Sequence, residues 1–336
     1  MARITAKKNG HASRIVYVAL VGNALVAVSK FSAAAITGSS AMLSEGFHSV
    51  VDITNEILLL YGLHRADARP DDEHPLGYGR EIYFWSFVVA LLIFTAGAGA
   101  SFYEGVTHIM HPEPVRDAHV TYIVLALAAV FEGVSWVYTL HKFRKGRPYA
   151  EVFRLVVHSK DPPTFIVLLE DSAALAGILI AFLGVHYSVT LQRPELDGIA
   201  SLCIGATLAL TAMLLARETK GLLIGEAADR KTRTSMLQIA GSVHGVVRAN
   251  GVLTVHVSPG EIVAAMSIEF EDALHTPEIE QAVIELERRI SRAHPEVISV
   301  SVKPQTPRRY RQAQGRTEEA HTLRDTAPQA DISLKQ

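Results

Sequence analysis

Gly38-Ser39-Ser40-Ala41-Met42-Leu43-Ser44-Glu45-Gly46-Phe47-His48-Ser49-Val50-Val51-Asp52 decides how the rest of this chain is read. The stretch opens on a tight Gly-Ser-Ser turn and continues into an apolar segment, 41–63, of membrane-crossing length. His48 and Asp52 stand at i and i+4 and therefore share one helix face. Ionisable groups in hydrocarbon are costly, so they turn towards a bundle interior or a wet cavity. An imidazole and a carboxylate one turn apart suit a divalent metal ion or a proton; the plainer alternative is a hydrogen bond between helices.

Outward from this stretch, apolar blocks near 14–37, 83–107, 120–140, 164–185 and 197–216 also have spanning length, giving six spans with 41–63. Of the 336 residues, 49% are hydrophobic and the mean hydropathy is +0.21, more than an average soluble domain carries. Cys203 is the only cysteine, which excludes an intrachain disulfide framework and a thiolate metal cluster. The net charge of −2 says little about partners; no nucleic-acid partner is expected. No small-residue cleavage site follows the first apolar block, so it reads as a retained helix.

Basic residues fall on alternate connections. One side carries Arg3, Lys7, Lys8 and Arg14, then Arg65, Arg69 and Arg80, then Lys142, Arg144, Lys145, Arg147, Arg154 and Lys160, then Arg217 and Lys220. The other side shows only Arg116 and Arg193. Positive residues remain cytoplasmic, so both termini are expected there, in a multi-pass protein of the cell (inner) membrane if the source is bacterial. From about Glu226 the composition becomes that of a soluble domain. Helix is expected over 230–247, strands over 252–257 and 262–270 about a Pro259-Gly260 turn, a helix from Thr276 (N-cap) to Ala293, and a last strand over 297–302. The order α-β-β-α-β suggests a small ferredoxin-like α+β domain. The expected divisions are a cytoplasmic segment 1–13, a transmembrane domain 14–220, a cytoplasmic domain 226–305 and a disordered tail 306–336.

Further polar residues lie within the spans. Asp171 sits on the fifth, antiparallel to the second, at a depth where it can meet Asp52. Adjacent Glu170 points about 100° away on an ideal helix; it is a candidate fourth ligand or an interhelical or proton-carrying group. Counting from the Gly38-Ser39 turn sets Lys30 opposite position 47, so Lys30 and Glu45 are expected to pair; passage of metal by Glu45 is the sharper alternative. Glu56 reads as lining a cytoplasmic cavity or pairing with a loop arginine. Glu132 interrupts the fourth span. In the loop from Arg69 to Pro75, Asp71 and His74 are candidates for a weak second metal site, against a merely solvated acidic loop. His108, His111 and His119 are placed in an outer loop.

Three motifs together resemble the cation diffusion facilitator family: residues 38–52 quoted above, Asp-Asp-Glu-His-Pro-Leu-Gly-Tyr-Gly-Arg-Glu (71–81) and Glu-Asp-Ser-Ala-Ala (170–174). The resemblance covers the chain from first span to last strand. It implies a homodimer that exports divalent cations in exchange for protons, through a midplane site with two ligands on the second span and two on the fifth. His48, Asp52 and Asp171 match three of these positions; the fourth, four residues before Asp171, is the apolar Val167. Asp71 and His74 match a loop site, where Tyr78 replaces a second histidine. The soluble domain is expected to dimerise without a dense metal cluster. One imidazole among oxygens favours Zn²⁺ as substrate, with Fe²⁺, Co²⁺, Ni²⁺ and Mn²⁺ also suited, and no organic cofactor is implied. Alternating access at His48, Asp52, Asp171 and Glu170 is the expected mechanism, and no Walker-type phosphate loop is present. The alternative class is a metal-dependent integral-membrane enzyme acting on lipid head groups, for which no nucleophile or His-Glu-x-x-His signature is found.

Overall fold

The computed structural model describes residues 23–144, 162–313 and 315. The N-terminal segment 1–13, residues 14–22 of the expected first span, the basic residues from Lys145 to Lys160 and the tail from 316 lie outside the described residues. The chain divides into two units, up to Ile224 and from Gly225.

The first unit contains helices α1 (Asn23–Thr37), α2 (Ser40–Ala66), α3 (Glu81–Met110), α4 (Ala118–Arg144), α5 (Pro162–Thr190) and α6 (Glu195–Ile224). Four of them, α3 to α6, are long and apolar enough to cross a membrane, and the protein is an integral membrane protein. Helix α2 has 27 residues, about 40 Å at 1.5 Å per residue, which also exceeds a bilayer core. Its apolar run is diluted by Glu45, Asp52 and Glu56, the residues that make it informative. A π-helical segment, Ile93–Ala98, interrupts α3; such segments recur at functional sites. A single apolar cluster built on Met42, Val51, Tyr83, Ile93, Ile166, Ile204 and Leu208 joins the helices around α2.

Asp197, in the first turn of α6, fixes the start of α2. Its fully buried carboxylate accepts hydrogen bonds from Ser39 Oγ (2.9 Å), Ser40 N (2.6 Å), Ser40 Oγ (3.0 Å) and Ala41 N (3.4 Å). The first N–H groups of a helix have no partner within it, and a negative charge there is favoured by the helix dipole. Ser39 Oγ meanwhile caps Met42 N at 3.2 Å. Asp197→Ala is expected to destabilise the protein by about 2 kcal/mol or more, as buried donors lose a charged acceptor; thermal unfolding in detergent will measure it.

Among the described residues, the second unit is a three-stranded sheet with two helices packed on it, followed by a short helix over 307–313: α7 (Arg230–Gly241), β1 (Val246–Ser258), β2 (Glu261–Phe270), α8 (Thr276–Ala293) and β3 (Val297–Pro304). The sheet order is β1-β2-β3, with β1 antiparallel and β3 parallel to β2. Alternate residues of β2 (Ile262, Ala264, Met266, Ile268 and Phe270) are buried in one core with Met236 and Ala240 of α7 and Leu286 and Ile290 of α8. Several boundaries differ from expectation. Helix α7 stops at Gly241, and β1 starts at Val246 because bulges near Arg248 and Asn250 let the strand absorb Asn250-Gly251. The N-cap of α8 is His275, whose N–H donates to Glu278 at 2.7 Å, so Thr276 is the first helical residue. The tail begins with helix over 307–313, and Tyr310 packs on Gly251, where a side chain would collide with it.

Candidate metal centre

His48 is 1% exposed, and neither ring nitrogen has a hydrogen-bond partner among the described residues. Its Nδ1 lies 3.4 Å from Asp52 Oδ1, close but outside hydrogen-bond geometry, and that oxygen is also unpartnered. A buried imidazole normally finds a partner, so a His/Asp pair with open lone pairs is suited to coordinate an ion. Helical periodicity alone produces this juxtaposition, as the i, i+4 spacing required.

The other residues expected at the site face the same interior with different partners. Glu170 is buried, and its Oε1 accepts from Asn55 Nδ2 of α2 at 2.7 Å, the interhelical bond. Asp171 Oδ2 accepts from Ser135 Oγ of α4 at 3.0 Å. Val167 leaves its position apolar. Among the described residues no three His, Cys, Asp or Glu side chains converge closely enough to hold a metal ion. Electrostatically they form one group: Asp52 lies within Coulombic reach of Glu170, Glu132, Lys30 and Asp171. Glu56, with Oε1 held by Asn23 Nδ2 at 2.9 Å, belongs to the same set. Its partner is thus an asparagine on α1 rather than a loop arginine.

Lys30 and Glu45 pair as hairpin counting required: Nζ to Oε2 is 2.9 Å and both side chains are fully buried. The second oxygen of Glu45 has no hydrogen-bond partner among the described residues and lies where Gly177 of α5 makes room; any side chain at 177 would collide with it. The pair therefore joins α1, α2 and α5 one turn from His48.

His108 corrects an expectation. It lies inside α3, buried, with Nε2 3.9 Å from Asp197 Oδ2, because the helix runs on to Met110 and ends only before Pro112. His119 is likewise not in the loop but in the first turn of α4, which starts at Ala118, so only His111 of the three lies between the helices. Sequence reasoning missed Asp197 as well: an acid in a first helical turn looks like an ordinary complement to the dipole.

In the 71–78 loop, Asp71 Oδ1 accepts from His74 N (2.7 Å) and Glu73 N (3.1 Å), and Oδ2 from Tyr78 Oη (2.7 Å). His74 Nδ1 is 3.5 Å from Oδ1. The Tyr78 hydroxyl, then the His74 N–H, holds the Asp71 carboxyl below its ordinary range. The loop interaction is complete above that range and is lost as pH falls through the lowered value. Tyr78→Phe is expected to move Asp71 back up towards the ordinary carboxylate value, measured by NMR of the ¹³C-labelled carboxyl; an unmoved titration would contradict this.

A profile described as the cation efflux transmembrane domain matches residues 16–224. The chain belongs to the cation efflux family, whose named members here are transporters. It is 29% identical over 268 residues to the human protein named proton-coupled zinc antiporter SLC30A9, mitochondrial, covering 78% of this chain and 47% of that one. It is 31% identical over 230 residues to metal tolerance protein C4 of Arabidopsis thaliana, covering 68% of this chain and 50% of the other. With the cation-efflux pump FieF of Citrobacter koseri identity is 25% over 287 residues, covering 84% and 89%. The chain thus spans about half the length of SLC30A9.

Proposed function

We propose that this protein exports divalent metal ions, Zn²⁺ foremost, from the cytoplasm in exchange for protons. The observation that carries this reading is His48: a buried imidazole whose nitrogens have no hydrogen-bond partner among the described residues, 3.4 Å from an Asp52 oxygen that likewise has none. Zinc accepts one imidazole nitrogen with carboxylate oxygens. The name of SLC30A9 supports zinc and protons as the exchanged ions.

His48 and Asp52 make the first contacts with the metal. Asp171 leaves Ser135 and Glu170 leaves Asn55 to complete the set, with Glu170 serving for the ligand missing at Val167. Metal binds neutral imidazole and ionised carboxylates, so loading releases protons and protonation on the far side displaces the metal. Six membrane-spanning helices, α1 to α6, with cytoplasmic termini, a ferredoxin-like cytoplasmic domain and assembly as a homodimer complete the reading. Asp71 and His74 are proposed as a weak loop site, bound only when metal displaces the Tyr78 hydroxyl. Reconstitution tests the reading: an acid-inside pH gradient is expected to drive ⁶⁵Zn uptake into proteoliposomes, and flux equal to protein-free vesicles would refute it.

A further inference from the structure

Glu132 is near the middle of α4, whose stretch from Ala118 to His141 holds no other Asp, Glu, Lys or Arg. Periodicity sets its direction. One turn on, Ser135 donates to Asp171, and Trp136 Nε1 donates to Ser172 Oγ at 2.9 Å. Residues 132, 135 and 136 share a face, so Glu132 is on the side of α4 packed against the part of α5 that carries the candidate ligands. Its side chain is half-buried. The charged groups within its Coulombic reach are Lys30 on α1, Glu45, Asp52 and Glu56 on α2, and Glu170 and Asp171 on α5.

Six carboxylates thus act on one another and on Lys30 through their charges, and Lys30 is already bonded to Glu45. Uncompensated charge in a low dielectric is costly, so their joint charge must change whenever a divalent ion enters or leaves. On the proposed function, that ion sits at the ring nitrogens of His48, which have no hydrogen-bond partner among the described residues.

We propose that Glu132 is a proton-carrying residue of the exchange: it holds a proton while His48 and Asp52 are empty and gives it up when metal binds. The proton leaves the Glu132 carboxyl for water as the divalent ion's charge replaces it, so charge balances without oxidation or a third reactant. Glu132 acts through the field it shares with the ligands, not as one of them.

This rests on the proposed metal exchange, and the experiment separates the two. Zinc is titrated into the purified full chain in a weakly buffered pH-indicator solution, giving affinity and protons released per zinc. Glu132→Gln is expected to bind zinc within about tenfold of wild type while releasing about one proton fewer. Unchanged release overturns the inference, and so does loss of zinc binding in a folded variant, which would make Glu132 a ligand. Should Glu132→Gln not fold, Glu132→His replaces a group titrating near ~4.3 with one near ~6.5 and must move the pH profile of proton release; an unmoved profile overturns it. Wild-type protein that binds no zinc would instead refute the exchange itself.

Discussion

Asp52→Ala will lower zinc flux through reconstituted protein by more than about 100-fold, to the leak of empty vesicles. Replacing groups that merely orient a metal ligand already costs about 10–100-fold, and Asp52 is proposed as a ligand itself. Its Oδ1 is the oxygen nearest the open ring of His48, so its loss leaves the imidazole facing metal alone. His48→Ala is expected to be equally severe. Asp52→Asn keeps the shape but not the charge, so it should also fail to bind zinc, which separates coordination from packing. Flux in Asp52→Ala near the wild-type rate would move the site elsewhere.

Lys30→Met is expected to destabilise the membrane unit by about 3–5 kcal/mol, because it leaves the Glu45 carboxylate buried without its cation. Glu45→Gln should cost a comparable amount by stranding Lys30. The double variant Lys30→Met/Glu45→Gln removes both charges and should recover most of the loss, since a buried ion pair rarely outperforms well-packed neutral side chains. Thermal unfolding of the four proteins forms a double-mutant cycle. Additive losses would mean that the two charges are not coupled. A recovered fold with slow transport would show that the pair also sets the position of α2, which carries His48 one turn further on.

The features legible in the sequence were those set by short-range periodicity. His48 to Asp52 is an i, i+4 relation, and Lys30 to Glu45 follows from counting about the Gly38 turn, so both met as expected. What was not legible depended on distant partners. Asp197 reaches the start of α2 from a residue 157 positions away from Ser40, and nothing local marks it. The same holds for Asn55 on Glu170 and Ser135 on Asp171, where a polar side chain on a neighbouring helix decides which way a carboxylate turns. In the soluble unit, Asn250-Gly251 has the composition of a turn but continues β1, because bulges, the Asn250 side chain on Gln305 O (2.7 Å) and the packing of Tyr310 hold it extended. Tertiary contacts there override local preference.

X-ray absorption at the zinc edge, on the zinc-loaded full chain and on His48→Ala, tests the central claim most directly. Nitrogen and oxygen neighbours are expected at about 2.0–2.2 Å, with the outer-shell scattering of an imidazole that disappears in the variant. Identical spectra from the two proteins, each with one zinc bound, would contradict it.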